Sequence, residues 1–282
     1  MNRLSVEERA RILASLCEGA SIRATSRITG AAKGTIIRLL RDVGAACWVL
    51  HDAAVRNLDS QRIQCDEIWS YCGVKERNLP LEQRGTDGIG DMWTWTAIDS
   101  DTKLIVSWHL GKRLRFDAEQ FIADLAQRVA SENVQISTDG FGAYAEAIQR
   151  FIPRADHGSE VKEYGHLDDM TPDRKYSPMV VTSVRRTAIW GDPDPDHIST
   201  AHVERNNLTM RMNMRRFTRL TNGFSKKAEN LAYALALHFA YYNFVRKHQT
   251  IKMTPAMKAG LTDRYWTLLD LAKLPDQLES AA

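Results

Sequence analysis

Cysteine is scarce in this sequence, and none of it is paired at short range. Cys17, Cys47, Cys65 and Cys72 are the four cysteines, and no two stand in a C-x-x-C spacing. That argues against a zinc ribbon and makes a reduced, cytoplasmic setting the simple expectation. No apolar run approaches the roughly 20 residues a membrane span needs. The opening "MNRLSVEERARILASL" mixes charges into its apolar positions and so does not read as a secretory signal. A composition that is 44% hydrophobic and 26% charged suits a soluble chain whose 282 residues can form one large domain and a small one.

Acid is missing from one stretch altogether. Residues 205–228 hold seven Lys/Arg and no Asp or Glu, and residues 1–50 hold eight Lys/Arg against four acids. The net charge of the chain is only +3, so the remainder is acidic. Two basic segments flanking an acidic body suit a polyanionic partner held near carboxylates. Solvated helix faces would give the same balance.

Residues 1–50 read as three helices. Ser5-x-x-Glu8 is a capping box ahead of Ile12, Leu13, Leu16 and Cys17 at helical spacing, with Gly19 as a stop. Ser21 heads a short second helix that ends at Gly30. "AAKGTIIRLLRDVG" supplies a third, closed at Gly44, with Ile36, Ile37, Leu39 and Leu40 apolar and Lys33, Thr35, Arg38 and Arg41 polar. Two short helices around a glycine behind a longer one predict a helix-turn-helix whose last helix presents those polar residues to DNA. A small bundle that binds a protein partner has the same pattern. Ala31 and Ala32 stand where a Ser or Asp cap would ordinarily open the third helix.

After a linker at 51–61, residues 62–250 alternate strands and helices. "RIQCDEIWSYCGV" reads as a strand, "MWTWTAIDSDTKLIVSWHLG" as a hairpin turning at Asp99, "FDAEQFIADLAQRVA" as a helix, "VQISTDGFGAY" as a short strand ending at Asp139, and "GAYAEAIQRFI" as a helix. The fold class expected is α/β: a mixed sheet with flanking helices, the first strand central, preceded by an all-α unit. Residues 153–197 are punctuated by Pro153, Pro172, Pro178, Pro193 and Pro195 and show only "VVTSVRRTAIWG" as one or two strands. Ser199 or Thr200 can cap a helix reaching about residue 214, and residues 251–282 form a helical tail that frays at "PDQLESAA".

Three acids fall at telling places: Asp66 on the first strand, Asp139 at the carboxyl end of a later strand, and Glu204 on the late helix. Such a set can hold two divalent cations, and hard cations such as Mg²⁺ or Mn²⁺ take oxygen ligands. Arg211 follows Glu204 by seven residues, about two helical turns, and shares its face. Arg215, Arg216, Arg219, Lys226 and Lys227 extend a basic track. Asp99 reads as a turn residue. Glu67 should point away from Asp66, because neighbouring strand residues face opposite sides, and it then needs an unnamed partner.

The pieces "CDEIWSYCGVKE", "STDGFGAY", "STAHVERNNLTMRMNMRRFTRLTNGFSKK" and "ALHFAYYNFVRKHQTIKMTPAMKAG" span most of residues 60–260. They resemble DDE transposases of the RNase H-like, retroviral-integrase superfamily, most closely the bacterial insertion-sequence transposases of the IS-one family. The resemblance implies an RNase H-like catalytic domain, a triad of Asp66, Asp139 and Glu204 holding two Mg²⁺ or Mn²⁺ ions, and Arg211 as the basic residue after the glutamate. It also implies DNA as partner (transposon ends and target), strand cleavage with water followed by joining of the 3′-hydroxyl, and a dimer or higher oligomer on DNA in the bacterial nucleoid. Many relatives carry an N-terminal zinc element, for which this sequence lacks the cysteines. A DNA-binding regulator with an inactive catalytic domain, or a nuclease that never joins, remains open.

Overall fold

The computed structural model describes residues 4–165 and 180–281. Its centre is one six-stranded sheet in the order β3-β2-β1-β4-β5-β6. Strand β1 (Arg62–Cys72) pairs antiparallel with β2 (Gly90–Asp99), and β2 antiparallel with β3 (Ile105–Gly111). On its other side β1 runs parallel to β4 (Gln135–Thr138), and β4 parallel to β5 (Asp156–Gly165). Strand β6 (Val180–Trp190) returns antiparallel along β5 and forms an exposed edge.

The parallel pairs require crossovers. Helix α4 (Arg115–Ala126) joins β3 to β4, and α5 (Ala143–Phe151) joins β4 to β5. Both pack on one face through Phe121, Ile122, Leu125, Tyr144 and Ile148, against Ile63, Cys65 and Trp95 of the sheet. The opposite face carries α6 (Ala201–Asn213) and α7 (Ala228–Ala240), packed on Ile68, Met92 and Ile98. A strand buried on both faces must be apolar in both registers, which is why the central strand shows no clean alternation of polar and apolar residues.

The N-terminal helices α1 (Val6–Cys17), α2 (Ile22–Thr29) and α3 (Lys33–Ala54) share this second core rather than building their own. Helix α3 does not stop at Gly44. It runs through the first residues expected as linker, and Gly44 lies against α7: a Cβ there would meet the carbonyl oxygen of Tyr233 at 2.5 Å. The glycine serves close helix contact, not termination. The turn between α2 and α3 does use glycine conformationally, with Gly30 at φ 75°. Ala32 caps α3 without a side-chain bond.

At the C-terminus, α8 (Pro255–Lys258) and α9 (Leu268–Ala281) form the expected helical tail. The final stretch is helical through Pro275 instead of frayed, because α9 packs on α1 and α3 and Asp276 accepts both guanidinium N–H groups of Arg9. Strand β5 carries almost no strand signal in sequence. Pro172 and Pro178, expected as breaks, lie outside the described residues.

Candidate metal centre

The site begins with a mismatch of strand lengths. Strand β4 pairs with β1 only as far as Ser137 opposite Gln64, and ends one residue later at Thr138. Asp66 and Glu67 lie just past that point, on a part of β1 with no neighbour on the β4 side. Asp139 follows the end of β4 directly. Its Oδ1 accepts the Phe141 amide at 2.9 Å, which fixes the turn into α5.

Strand alternation does separate the acidic pair. Asp66 faces α6, where Asn207 Nδ2 donates to its Oδ2 at 2.8 Å. Glu67 faces α5, where Tyr144 Oη donates to its Oε2 at 2.8 Å. Arg113, at the end of the β3 connection, supplies the second partner of Glu67 and also donates to Asp139 Oδ2 at 3.3 Å. Its guanidinium lies over Phe141 and Trp93, with centroids 4.5 and 5.1 Å away. The partners of Glu67 are therefore Tyr144 and Arg113.

Opposite faces did not keep the two acids apart. Oxygens of Asp66, Glu67 and Asp139 lie within 4.8 Å of one another, a group that could hold a metal ion. The expected split of the pair onto two faces holds, yet Glu67 still brings an oxygen within reach of Asp66 and Asp139. Where β4 stops, side chains from both faces of β1 converge on the open gap. Three hard oxygen donors are the chemistry a divalent ion such as Mg²⁺ takes.

The electrostatics point the same way. Burial, reinforced by the negative charges of Glu67, Asp139 and Glu204, pushes the Asp66 carboxyl up to about 7. Burial and Asp139 also raise Glu67, against the bonds from Tyr144 and Arg113. Crowded carboxylates of this kind resist ionising together, and a bound cation removes the penalty.

Glu204 reaches the cleft from across the sheet. Helix α6 is docked by Gln64 of β1, whose Oε1 accepts the amides of His202 and Val203, the work a capping side chain would otherwise do. Thr200 leaves the first turn without a side-chain cap; its hydroxyl donates to Glu204 at 2.7 Å and lies 3.1 Å from Glu160. Lys162 of β5 forms an ion pair with Glu204 and sits 3.4 Å from Glu160. Asp66, Asp139, Glu204 and Arg211 all line one cleft of about 590 Å³, but Glu204 is not in the three-carboxylate group.

Among the basic residues, Arg215, Arg219, Lys226 and Lys227 are exposed beyond the cleft. Arg216 is turned inward: its Nε donates to Ser225 at 2.7 Å, and burial lowers its guanidinium to about 10. Lys33, Arg38 and Arg41 are exposed on α3 and Thr35 is half-buried; Arg41 lies 3.8 Å from Glu229. Asp99 is a turn residue, its Oδ1 accepting the amides of Asp101 and Thr102. Sequence reasoning did not find Asn207, Arg113, Lys162 or Tyr144. Asn207 alone carried a signal, three residues after Glu204 on the same helical face.

No family model matches the sequence, and no curated protein matches it. Among the described residues, no helix is long and apolar enough to cross a membrane.

Proposed function

We propose that the protein is a DNA transposase of the DDE type, with an RNase H-like catalytic domain that cuts insertion-sequence ends and joins the freed 3′-hydroxyl to target DNA. The observation that carries this reading is the convergence of Asp66, Asp139 and Glu204 on one cleft from β1, the end of β4 and α6. The strand order supports it: an antiparallel meander followed by parallel strands on the far side of β1 is the sheet expected for that superfamily.

Each residue then has work to do. Asp66, Asp139 and Glu204 would hold two Mg²⁺ or Mn²⁺ ions, which supply Lewis acidity for in-line phosphoryl transfer. Asn207 fixes the rotamer of Asp66, and Arg113 fixes that of Asp139. Arg211, on the cleft wall, offers a fixed positive charge to a phosphate. Arg215, Arg219, Lys226 and Lys227 would follow the backbone of the strand away from the cleft. Helices α2 and α3, turning at Gly30, serve as a helix-turn-helix with Lys33, Thr35, Arg38 and Arg41 toward DNA. Two ends must meet, so at least a dimer forms on DNA. The setting is the bacterial cytoplasm, at the nucleoid.

The test is a Mg²⁺-dependent cleavage assay on DNA carrying the element's own ends. Asp66→Asn, Asp139→Asn and Glu204→Gln are each expected to abolish cleavage while leaving DNA binding intact. Full cleavage by any one of them removes that residue from the triad. Pre-cut ends offered with target DNA separate a transposase from a nuclease that never joins.

A further inference from the structure

Helix α6 has a second pocket on its other side. Glu204, Asn207, Leu208 and Arg211 face the carboxylate cleft, whereas His202, Arg205, Asn206 and Thr209 face a separate cavity of about 410 Å³. At 100° per residue the two sets lie on opposite sides of the helix. The floor of the second cavity comes from the β2–β3 turn, and its far wall from the segment that follows the π-helical turn at Tyr241–Val245.

The lining is cationic. Lys103, Arg205, Arg246 and Lys247 line it with His202 and His248, and no Asp or Glu does. Among the described residues, none of the four cations forms an ion pair with a carboxylate. Arg246 donates to the neutral Oδ1 of Asn213 at 3.1 Å, and Lys103 contacts the Ser100 carbonyl and, at 2.9 Å, His202 Nε2. The nearest acids are otherwise engaged: Asp101 with Arg62, and Asp99 with turn amides. Lys103 is itself buried, at 9% exposure, with φ 63°. Asn206, 2% exposed, has an Oδ1 without a hydrogen-bond partner among the described residues.

Four positive charges gathered in one lining repel one another, and the acids that act on them, Asp101 and Asp99 near Lys103, stand outside that lining. Burial and then Lys103 lower both His202 and His248, with Arg246 and Arg205 adding to the effect at His248. Such a cavity is stabilised by an anion with several acceptor oxygens. Two arginine forks suit a phosphate better than a single carboxylate.

We propose that this pocket is a phosphate-binding site, which takes a phosphate group carried on a nucleic-acid strand or on a free nucleotide. The strand as carrier rests on the transposase reading; the phosphate site does not. Arg205 and Lys247 are both exposed, so their removal leaves the fold intact.

The test uses the full chain in EDTA, without divalent ions, so that it is independent of cleavage. Inorganic phosphate and thymidine monophosphate are titrated by calorimetry, and a labelled short single-stranded oligonucleotide by fluorescence anisotropy. The R205Q/K247Q double variant is expected to weaken binding of at least one probe by about tenfold or more. A K258Q/K273Q double variant, with the same charge loss on other surfaces, is expected to bind as the wild type does. Loss confined to the oligonucleotide, with its salt slope reduced by about 1, identifies a strand phosphate; loss for phosphate and the mononucleotide identifies a free one. Equal binding of every probe by R205Q/K247Q and wild type, or an equal loss in K258Q/K273Q, overturns the proposal. Failure of the triad variants to affect cleavage would instead strike the function and leave this titration standing.

Discussion

Lys162 forms an ion pair with Glu204 from the neighbouring strand β5. Glu204 is 43% exposed in its side chain, so the contact is a modest clamp rather than a buried one. It engages an oxygen of the glutamate, which stands outside the group of Asp66, Glu67 and Asp139, and a cation joining all four acids must compete with the lysine. Lys162→Met is therefore expected to tighten Mn²⁺ binding by about threefold to fivefold, a gain of up to roughly 1 kcal/mol. Titration followed by the paramagnetic signal of free Mn²⁺ checks this. An unchanged or weaker affinity would mean that Lys162 does not restrain Glu204.

Glu67 carries two loads, a share of the acidic group and the anchoring of Arg113. Glu67→Gln keeps the shape but removes the charge of the closer of the two carboxylates that pair with Arg113, and takes one anion from the acidic group. The expected result is weaker Mn²⁺ binding together with a loss of about 1–3 kcal/mol in stability, the cost of a poorly satisfied buried group. Urea unfolding and metal titration read the two effects separately. Arg113→Gln should reproduce the loss of Asp139 orientation while sparing the ligand count, so a smaller effect on metal affinity is expected there.

Much of the chain could be read in advance because its signals are local. The central strand, the hairpin at Asp99, and helices α4 to α7 follow from apolar spacing and turn residues. Asp66 could be named as an acid within an apolar strand, Asp139 as one at a strand end, and Glu204 and Arg211 as neighbours on one helical face. What escaped depends on neighbours distant in sequence. Strand β5 hides in "DHGSEVKEYG", whose polar residues are accommodated by pairing on both sides and by Thr200 and Arg186 at Glu160. The convergence of Glu67 on Asp66 depends on where β4 happens to end, a fact of sheet register. Gly44 looks like a stop until α7 lies across it.

The raised Asp66 gives metal binding a pH dependence with a definite sign. A proton and a cation compete for the same carboxylate, and the proton holds on up to about pH 7. Affinity for Mg²⁺ should thus rise with pH, by about tenfold per unit below 7, and level off above it. Calorimetry in buffers of different ionisation enthalpy should find close to one proton released per site at pH 6 and almost none at pH 8. A flat profile would mean that Asp66 is not a ligand. Asp66→Asn should flatten it as well.

Buried histidines govern acid stability. Burial lowers His51 and His157 to about 4 and His238 to about 3. In the unfolded chain these rings take a proton near their ordinary value of about 6.5. Between roughly pH 6.5 and 4 the unfolded state therefore binds more protons than the native one, and stability falls as pH falls. The denaturation midpoint in urea should drop steadily from pH 7 to pH 4.5. His238→Phe, which replaces a ring with no hydrogen-bond partner at either nitrogen among the described residues, should reduce that slope.

Helix α3 packs along helix α7 and approaches it closely at Gly44, and this makes the shared core directly testable. In an isolated helix, Gly44→Ala would stabilise by roughly 1 kcal/mol through propensity alone. Here the new methyl would lie 2.5 Å from the Tyr233 carbonyl oxygen and 2.8 Å from its Cα, both backbone atoms that a rotamer change cannot move. The helices must separate, and with them the packing of Val43, Cys47, Leu231 and Leu235 in the common core. The sign therefore reverses, to a net loss of about 1–3 kcal/mol. Gly34→Ala is the control: it lies on the same helix with nothing within 4 Å of the added carbon. It should be neutral or mildly stabilising. If both alanines behave alike in urea unfolding, α3 is not packed on α7, and the N-terminal helices fold apart from the sheet.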